Sequence, residues 1–163
     1  MAEEMPTSTG EFTLNYENKY EIDVLSHKTL DDVEEAKFVP IAGGVNDATP
    51  SYNETSSNDE YYDGEGWQTT DVTAKRLQLQ FKGHRKQGDE GQDYVVSKQY
   101  SIGSDLKTLF RWTATDGTVL TSVINMSAIV PSGGAPGAKQ TFSFNADFDG
   151  KPDIKHPDDD SGK

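Results

Sequence analysis

The stretch that decides the fold runs from Asp71 to Tyr94: Asp-Val-Thr-Ala-Lys-Arg-Leu-Gln-Leu-Gln-Phe-Lys-Gly-His-Arg-Lys-Gln-Gly-Asp-Glu-Gly-Gln-Asp-Tyr. Leu77, Leu79 and Phe81 alternate with Gln78, Gln80 and Lys82. Period two with one apolar face predicts a half-buried strand. Gly83 interrupts it, and His84-Arg85-Lys86 makes a basic corner. Asp89 then sits where a helix N-cap would, with Gln92 three residues on, the spacing of a capping box. Tyr94, Val95 and Lys98 follow on a short helix expected near Glu90–Gln99.

The same alternation recurs outward from this stretch. Phe12, Leu14 and Tyr16 alternate, as do Tyr20, Ile22 and Val24, so Glu11–Tyr16 and Lys19–Leu25 read as strands. On the second, Glu21 and Asp23 are expected to point away from the apolar face. Ser26–Ala36 is acidic and reads as a loop or one helical turn; Lys37–Ile41 is another short extended run. On the far side, Lys107–Ala114 carries Phe110 and Trp112, and Asp116-Gly117 is a hairpin turn signal. Thr118–Val130 reads as a long strand with Leu120, Ile124, Met126, Ala128 and Val130 on its apolar face. Lys139–Phe148 alternates Phe142, Phe144, Ala146 and Phe148 with Ser143, Asn145 and Asp147. Leu77, Leu79, Phe81, Trp112, Phe142 and Phe144 should share the core. The chain is therefore expected to be mainly β: an antiparallel β-sandwich or half-barrel, one short flanking α-helix, and a long polar loop or hairpin arm.

That arm is residues 42–70, which hold almost no aliphatic side chain and no Lys or Arg. They carry Asp47, Glu54, Asp59, Glu60, Asp63 and Glu65, with Val45, Tyr52, Tyr61, Tyr62 and Trp67 as the large apolar groups. So long a structureless loop is uncommon in a compact domain, and disordered tracts are poor in aromatics. The segment reads as an arm or hairpin that docks on a partner through Tyr52, Tyr61, Tyr62 and Trp67, against the plainer reading of a mobile surface loop. Residues 1–10 read as a flexible N-terminal arm, residues 11–152 as one β domain, and Asp153–Lys163 as a disordered acidic tail.

Composition narrows the function. The chain has 163 residues, enough for one domain with a core, and no cysteine, which excludes disulfides and thiolate chemistry. Net charge is −13, against the cationic surface that nucleic-acid binding needs. The N-terminus lacks the basic-plus-apolar pattern of a signal peptide, and no apolar run approaches the ~20 residues of a membrane span, so a cytoplasm-like site of synthesis is expected. His27, His84 and His156 stand apart from one another without ligand or triad spacing. Asp147 to Asp153 lacks the ligand order of a calcium loop. Gly43-Gly44 and Gly133-Gly134 are followed by no Lys-Ser/Thr and no helix, so they are not phosphate loops. Neither an enzyme nor a cofactor site is expected. Trp67 with Tyr61 and Tyr62 could stack on sugar, so a carbohydrate-binding module stays open beside an interface.

Several segments, taken in order, resemble the major tail tube proteins of long flexible-tailed bacteriophages (siphophages). They are Asn15–Ile22, Val39-Pro40-Ile41-Ala42-Gly43-Gly44-Val45, Tyr61-Tyr62-Asp63-Gly64-Glu65-Gly66, Asp71–Leu77, Phe110-Arg111-Trp112, Asp116-Gly117-Thr118 and Phe142–Pro152. The most specific is Phe81-Lys82-Gly83-His84-Arg85, then Gly88-Asp89, then Gln92-Asp93-Tyr94. The resemblance implies a structural virion protein, not an enzyme, assembled in the host bacterial cytoplasm and located in the virion tail. It implies hexameric rings stacked on a tape-measure protein, a long loop reaching the adjacent ring, tail terminator and distal tail proteins at the ends, and DNA passing only in transit. A capsid decoration protein or an adhesion module is the alternative within virions. On the tail-tube reading, Tyr52, Tyr61, Tyr62 and Trp67 belong to the ring-stacking arm. Lys82, His84, Arg85 and Lys86 form a basic corner that can receive a neighbour's acidic arm, or else a solvated hairpin tip. Glu21, Asp23 and Asp147 are then the acids expected to face the channel, where like charge keeps DNA from adhering.

Overall fold

A computed structural model describes residues 11–157. The expected N-terminal arm and residues 158–163 of the tail lie outside them. The strands are β1 (Lys19–Asp23), β2 (Phe38–Pro40), β3 (Val45–Glu60), β4 (Gln68–His84), β5 (Lys107–Thr113), β6 (Val119–Val130), β7 (Thr141–Phe148) and β8 (Asp153–Lys155); the helix α1 is Glu90–Ser97. They form one antiparallel sheet in the order β2-β1-β5-β6-β7-β4-β3, with β8 on β6.

The sheet curls. β1 and β4 are separated by β5, β6 and β7, a flat-sheet distance of about 19 Å at ~4.8 Å per strand. Yet the rings of Tyr20 on β1 and Phe81 on β4 meet edge to face at 5.1 Å. Phe81 also stacks on Phe144 at 4.9 Å, and Phe110 meets Phe148 at 6.0 Å. The apolar side chains of the strands thus fill the inside of a half-barrel, as their alternation required. Leu77, Leu79, Phe81, Phe142 and Phe144 are buried there with Ile22, Phe110, Ile124 and Met126. Trp112 is only half-buried: it stacks on Tyr20 at 5.9 Å and its indole N–H donates to Asn18 Oδ1.

Helix α1 covers one open end through Val95, Gln92 and Gly91, all buried. Asp89 caps it, accepting from the Gln92 N–H at 3.1 Å. The other half of the expected capping box is absent, because the Gln92 side chain is used elsewhere. The remaining open side is a groove of about 780 Å³ between β1 and β3, lined by Tyr20, Ile41, Val45 and Ala48 among others.

Three expectations are corrected. Glu11–Tyr16 is not a strand: Asn15–Glu17 is a 3-10 turn, and Phe12 and Tyr16 are 97% and 80% exposed. The strand it leads into, β1, already has both sides hydrogen-bonded, to β2 and β5. The tail is not wholly unstructured, since Asp153–Lys155 pairs with Val119–Thr121. Gly150, at φ 90°, turns the chain back after β7, which reaches only to Ile124 along β6. Finally, the apolar face of β6 does not continue through Ala128 and Val130. A bulge between Ser127 and Val130, with Ala128 at φ 51°, reverses the alternation. Ile129 packs against the core, while Ala128 and Val130 are exposed.

Candidate functional site

The part of the molecule left over from the core is the hairpin of β3 and β4. Its inner half belongs to the body: Ala48 pairs with Phe81, Pro50 with Leu79 and Tyr52 with Leu77. Beyond Leu77 burial stops. The outer nine residues of β4, Gln68–Arg76, are all exposed, a reach of about 30 Å at ~3.3 Å per residue. The projecting arm is therefore residues 53–76, displaced from the expected 42–70. It is a regular antiparallel ribbon, paired from Asn53↔Arg76 to Glu60↔Gln68 with one bulge after Thr55.

Such a ribbon is marginal by itself, and its sequence explains how it holds. Polar side chains bond along it: Thr70 Oγ1 donates to Asn58 Oδ1 at 2.7 Å, Gln68 Nε2 to Glu60 Oε1 at 3.0 Å and Thr73 Oγ1 to the Thr55 carbonyl at 3.1 Å. Lys75 and Glu54 pair at 3.3 Å. At its tip Tyr62–Gly64 forms a 3-10 turn, and Glu65 and Gly66 both take positive φ. Tyr61, Tyr62 and Trp67 gather at this tip, Trp67 at 80% exposure, and Tyr52 is exposed near the base. Asp63 and Glu65 stand beside them with no hydrogen bond or ion pair among the described residues.

The arm's base is clamped to α1 by the Gly-His-Arg, Gly-Asp and Gln-Asp-Tyr residues. Gln92, fully buried, donates from Nε2 to the carbonyls of Gly43 at 2.7 Å and His84 at 3.0 Å. Its Oε1 accepts from the Lys86 N–H at 2.8 Å and from Arg85 at 3.2 Å. Gly83 is required because a Cβ there would strike the Gly44 carbonyl oxygen and the Val45 backbone. Tyr94 meets Ser26 through its hydroxyl, fastening the helix to the acidic segment. The sequence marks Gln92 as a capping residue and as part of the Gln-Asp-Tyr motif; its buried amide role follows from contact with Gly43, distant along the chain.

The basic corner divides. Arg85 turns inward, pairing with Asp93 at 2.7 Å and donating to the Lys86 carbonyl; its side chain is 12% exposed. It is a structural residue, a correction to the expected open corner. Lys82, His84 and Lys86 are exposed at the end of β4 opposite the arm's tip. Lys139, missed in the sequence, joins them: Thr141 pairs with His84 and the Arg85 N–H donates to the Gln140 carbonyl, bringing the start of β7 alongside.

The three acids expected in a channel also part company. Asp23 is fully buried and faces no solvent. Its carboxylate accepts from the backbone N–H groups of Leu25, His27 and Lys37 and from the His27 ring, all at 2.8–3.0 Å. The loop from Leu25 to Lys37 folds over it, so it is not a channel residue of the subunit. Glu21 is half-buried and held bidentate by Arg111 at 3.1 Å. Asp147 accepts from Gln78 Nε2 and Ser127 Oγ on a polar sheet face. That face is polar, mostly amides and hydroxyls with one carboxylate and one ammonium: Gln78 lies beside Asp147, Gln80 beside Asn145 and Lys82 beside Ser143.

No family model matches the chain, and no curated protein matches it. Solved structures do. A chain from the tail of an empty gene transfer agent particle, a helically refined tail with C6 symmetry, superposes with a TM-score of 0.68 at 13% identity, over 88% of this chain and 99% of that one. A chain from the virion of a native gene transfer agent particle superposes with a TM-score of 0.65 at 12% identity, again over 88% and 99%. This likeness agrees with the resemblance read from the sequence. The fold of this chain, over most of its length, is the fold of a chain in the tail of a gene transfer agent particle.

Proposed function

We propose that the chain is a structural subunit of a phage-type tail, and that its copies form stacked rings, with six copies per ring, around a channel through which DNA is ejected. The observation that carries this reading is the arm. A two-stranded ribbon about 30 Å long, uncovered on both faces and ending in Tyr61, Tyr62 and Trp67, has no use inside the subunit. Interface cores favour such aromatics. The fold shared with a chain of a C6 tail supports the ring geometry. The polar sheet face is the side suited to a water-filled channel, and the outer edges of β2 and β3, which pair with no further strand among the described residues, would be taken up by neighbouring copies. On this reading the subunit binds a tape-measure protein while the tail grows, makes no specific contact with DNA and catalyses nothing.

Electron microscopy of concentrated protein tests it: stacked rings with a central hole are expected. The companion variant replaces residues 53–76 by a two-residue turn. Removing Thr49–Asn58 would instead strip the partners of Leu79 and Leu77 from β3, so it cannot separate folding from assembly. The shortened hairpin should remain folded and fail to stack; stacking by the shortened protein would refute the role of the arm.

A further inference from the structure

The arm needs a receiving surface, and the two ends of β4 differ in charge. Around the tip stand Asp59, Glu60, Asp63, Glu65 and Asp71, with no Lys or Arg between residues 42 and 74. At the other end stand Lys82, His84, Lys86 and Lys139, all exposed. None of the four side chains is engaged in an ion pair among the described residues. The strand separating the two ends, Gln68–His84, spans about 50 Å at ~3.3 Å per residue, far beyond the ~10 Å screening length at ~0.1 M ionic strength. The tip therefore cannot satisfy its own corner.

We infer that the acidic aromatic tip of one copy docks on the Lys82–His84–Lys86–Lys139 corner of a second copy. This rests on the polymerising reading above and names the receiving site within it. Asp63 and Glu65 would meet ammonium groups, and the faces of Tyr62 and Trp67 suit the same cations, so no apolar pocket is needed. Arg85 takes no part, because Asp93 and Gln92 already hold it. Donor and acceptor are different surfaces at opposite ends of one strand pair. The contact is thus head-to-tail, and where the rotation between copies does not close it propagates along an axis, which is what stacking one ring on the next requires.

The test is a charge exchange. One protein carries Lys82→Glu, Lys86→Glu and Lys139→Glu; the other carries Asp63→Lys and Glu65→Lys. Circular dichroism matching the parent establishes that each is folded. Each alone should lose the sedimentable polymer that the parent forms. Mixed in equal amounts they should regain it, because each tip now faces a corner of opposite sign in the other protein. Parent polymer should also recede as salt shortens the screening length towards ~3 Å at 1 M. If the corner variant polymerises alone, or if the mixture regains nothing, the receiving site is wrong while the tail reading stands. If the parent itself forms no rings, the tail reading fails and the inference with it.

Discussion

The side-chain amide of Gln92 donates to the carbonyl of Gly43 at 2.7 Å, joining helix α1 to the chain just before β3. The same amide group holds the end of β4 through His84 and Lys86. One buried side chain thus fixes both roots of the arm. Gln92→Leu, of similar size, leaves two carbonyls and the Lys86 N–H without partners in a dry site. The loss should be about 3 kcal/mol, read as a lowered urea midpoint. Hydrogen exchange should rise at Val45 and His84 more than in β5. A variant as stable as the parent would show that water replaces the amide.

Tyr20 packs edge-on to Phe81 and stacks on Trp112. Burial pushes its phenol above the ordinary tyrosine value of 10.0. The sign follows: the unfolded chain gives up this proton first, so the contribution to stability is complete below 10.0 and is lost as pH rises through the higher folded value. The parent should lose urea resistance as pH rises above 10.0. Tyr20→Phe keeps the ring contacts and should show a flatter decline over that range. Equal slopes for the two proteins would remove Tyr20 as the cause.

Leu79 lies fully buried, paired with Pro50 and Ala146 on its flanking strands. Leu79→Ala should lower stability by roughly 2–5 kcal/mol, measured by denaturant unfolding with unchanged dependence on denaturant. This register was legible because Leu77, Leu79 and Phe81 alternate without interruption. Alternation failed wherever a contact distant in sequence intervened. The bulge at Ala128 has no signature such as glycine, and the left-handed residue there is held by pairing with β7. Glu11–Tyr16 alternates as well as any strand here but finds no vacant edge beside β1. The arm was legible as a feature from its composition. Its true limits were not, because Asp71–Arg76 looks like the start of a core strand until the buried body is seen to end at Leu77.

Glu21, Asp23 and Asp147 look alike in sequence, each an acid on the polar side of an alternating strand, and the structure orders them by what they hold. Asp23 satisfies three backbone N–H groups and the His27 ring inside the protein. Asp23→Ala strands those donors and should cost about 3 kcal/mol; Asp23→Lys places an ammonium among them and should abolish soluble folding. Glu21→Gln gives up a partly exposed pair with Arg111, worth about 1 kcal/mol or less. Asp147→Asn keeps one oxygen for Gln78 or Ser127 and should likewise cost about 1 kcal/mol. Urea midpoints of the single variants should therefore separate Asp23 clearly from the other two. On the proposed reading, the wall this face would offer a channel is nearly balanced in charge: Glu21 is matched by Arg111, and Asp147 stands among Gln78, Gln80, Asn145 and Ser143, with Lys82 at the end of the row. Gln78 and Gln80 are already bonded to Asp147 and to one another, and a single Lys82 is no row of cations for phosphate to grip. Adding Lys at Gln78, Gln80 and Asn145 should leave the subunit folded and retard duplex DNA in a tube, most at low salt. Unchanged DNA passage at low salt, with rings intact, would place this sheet face on the outside of the assembly.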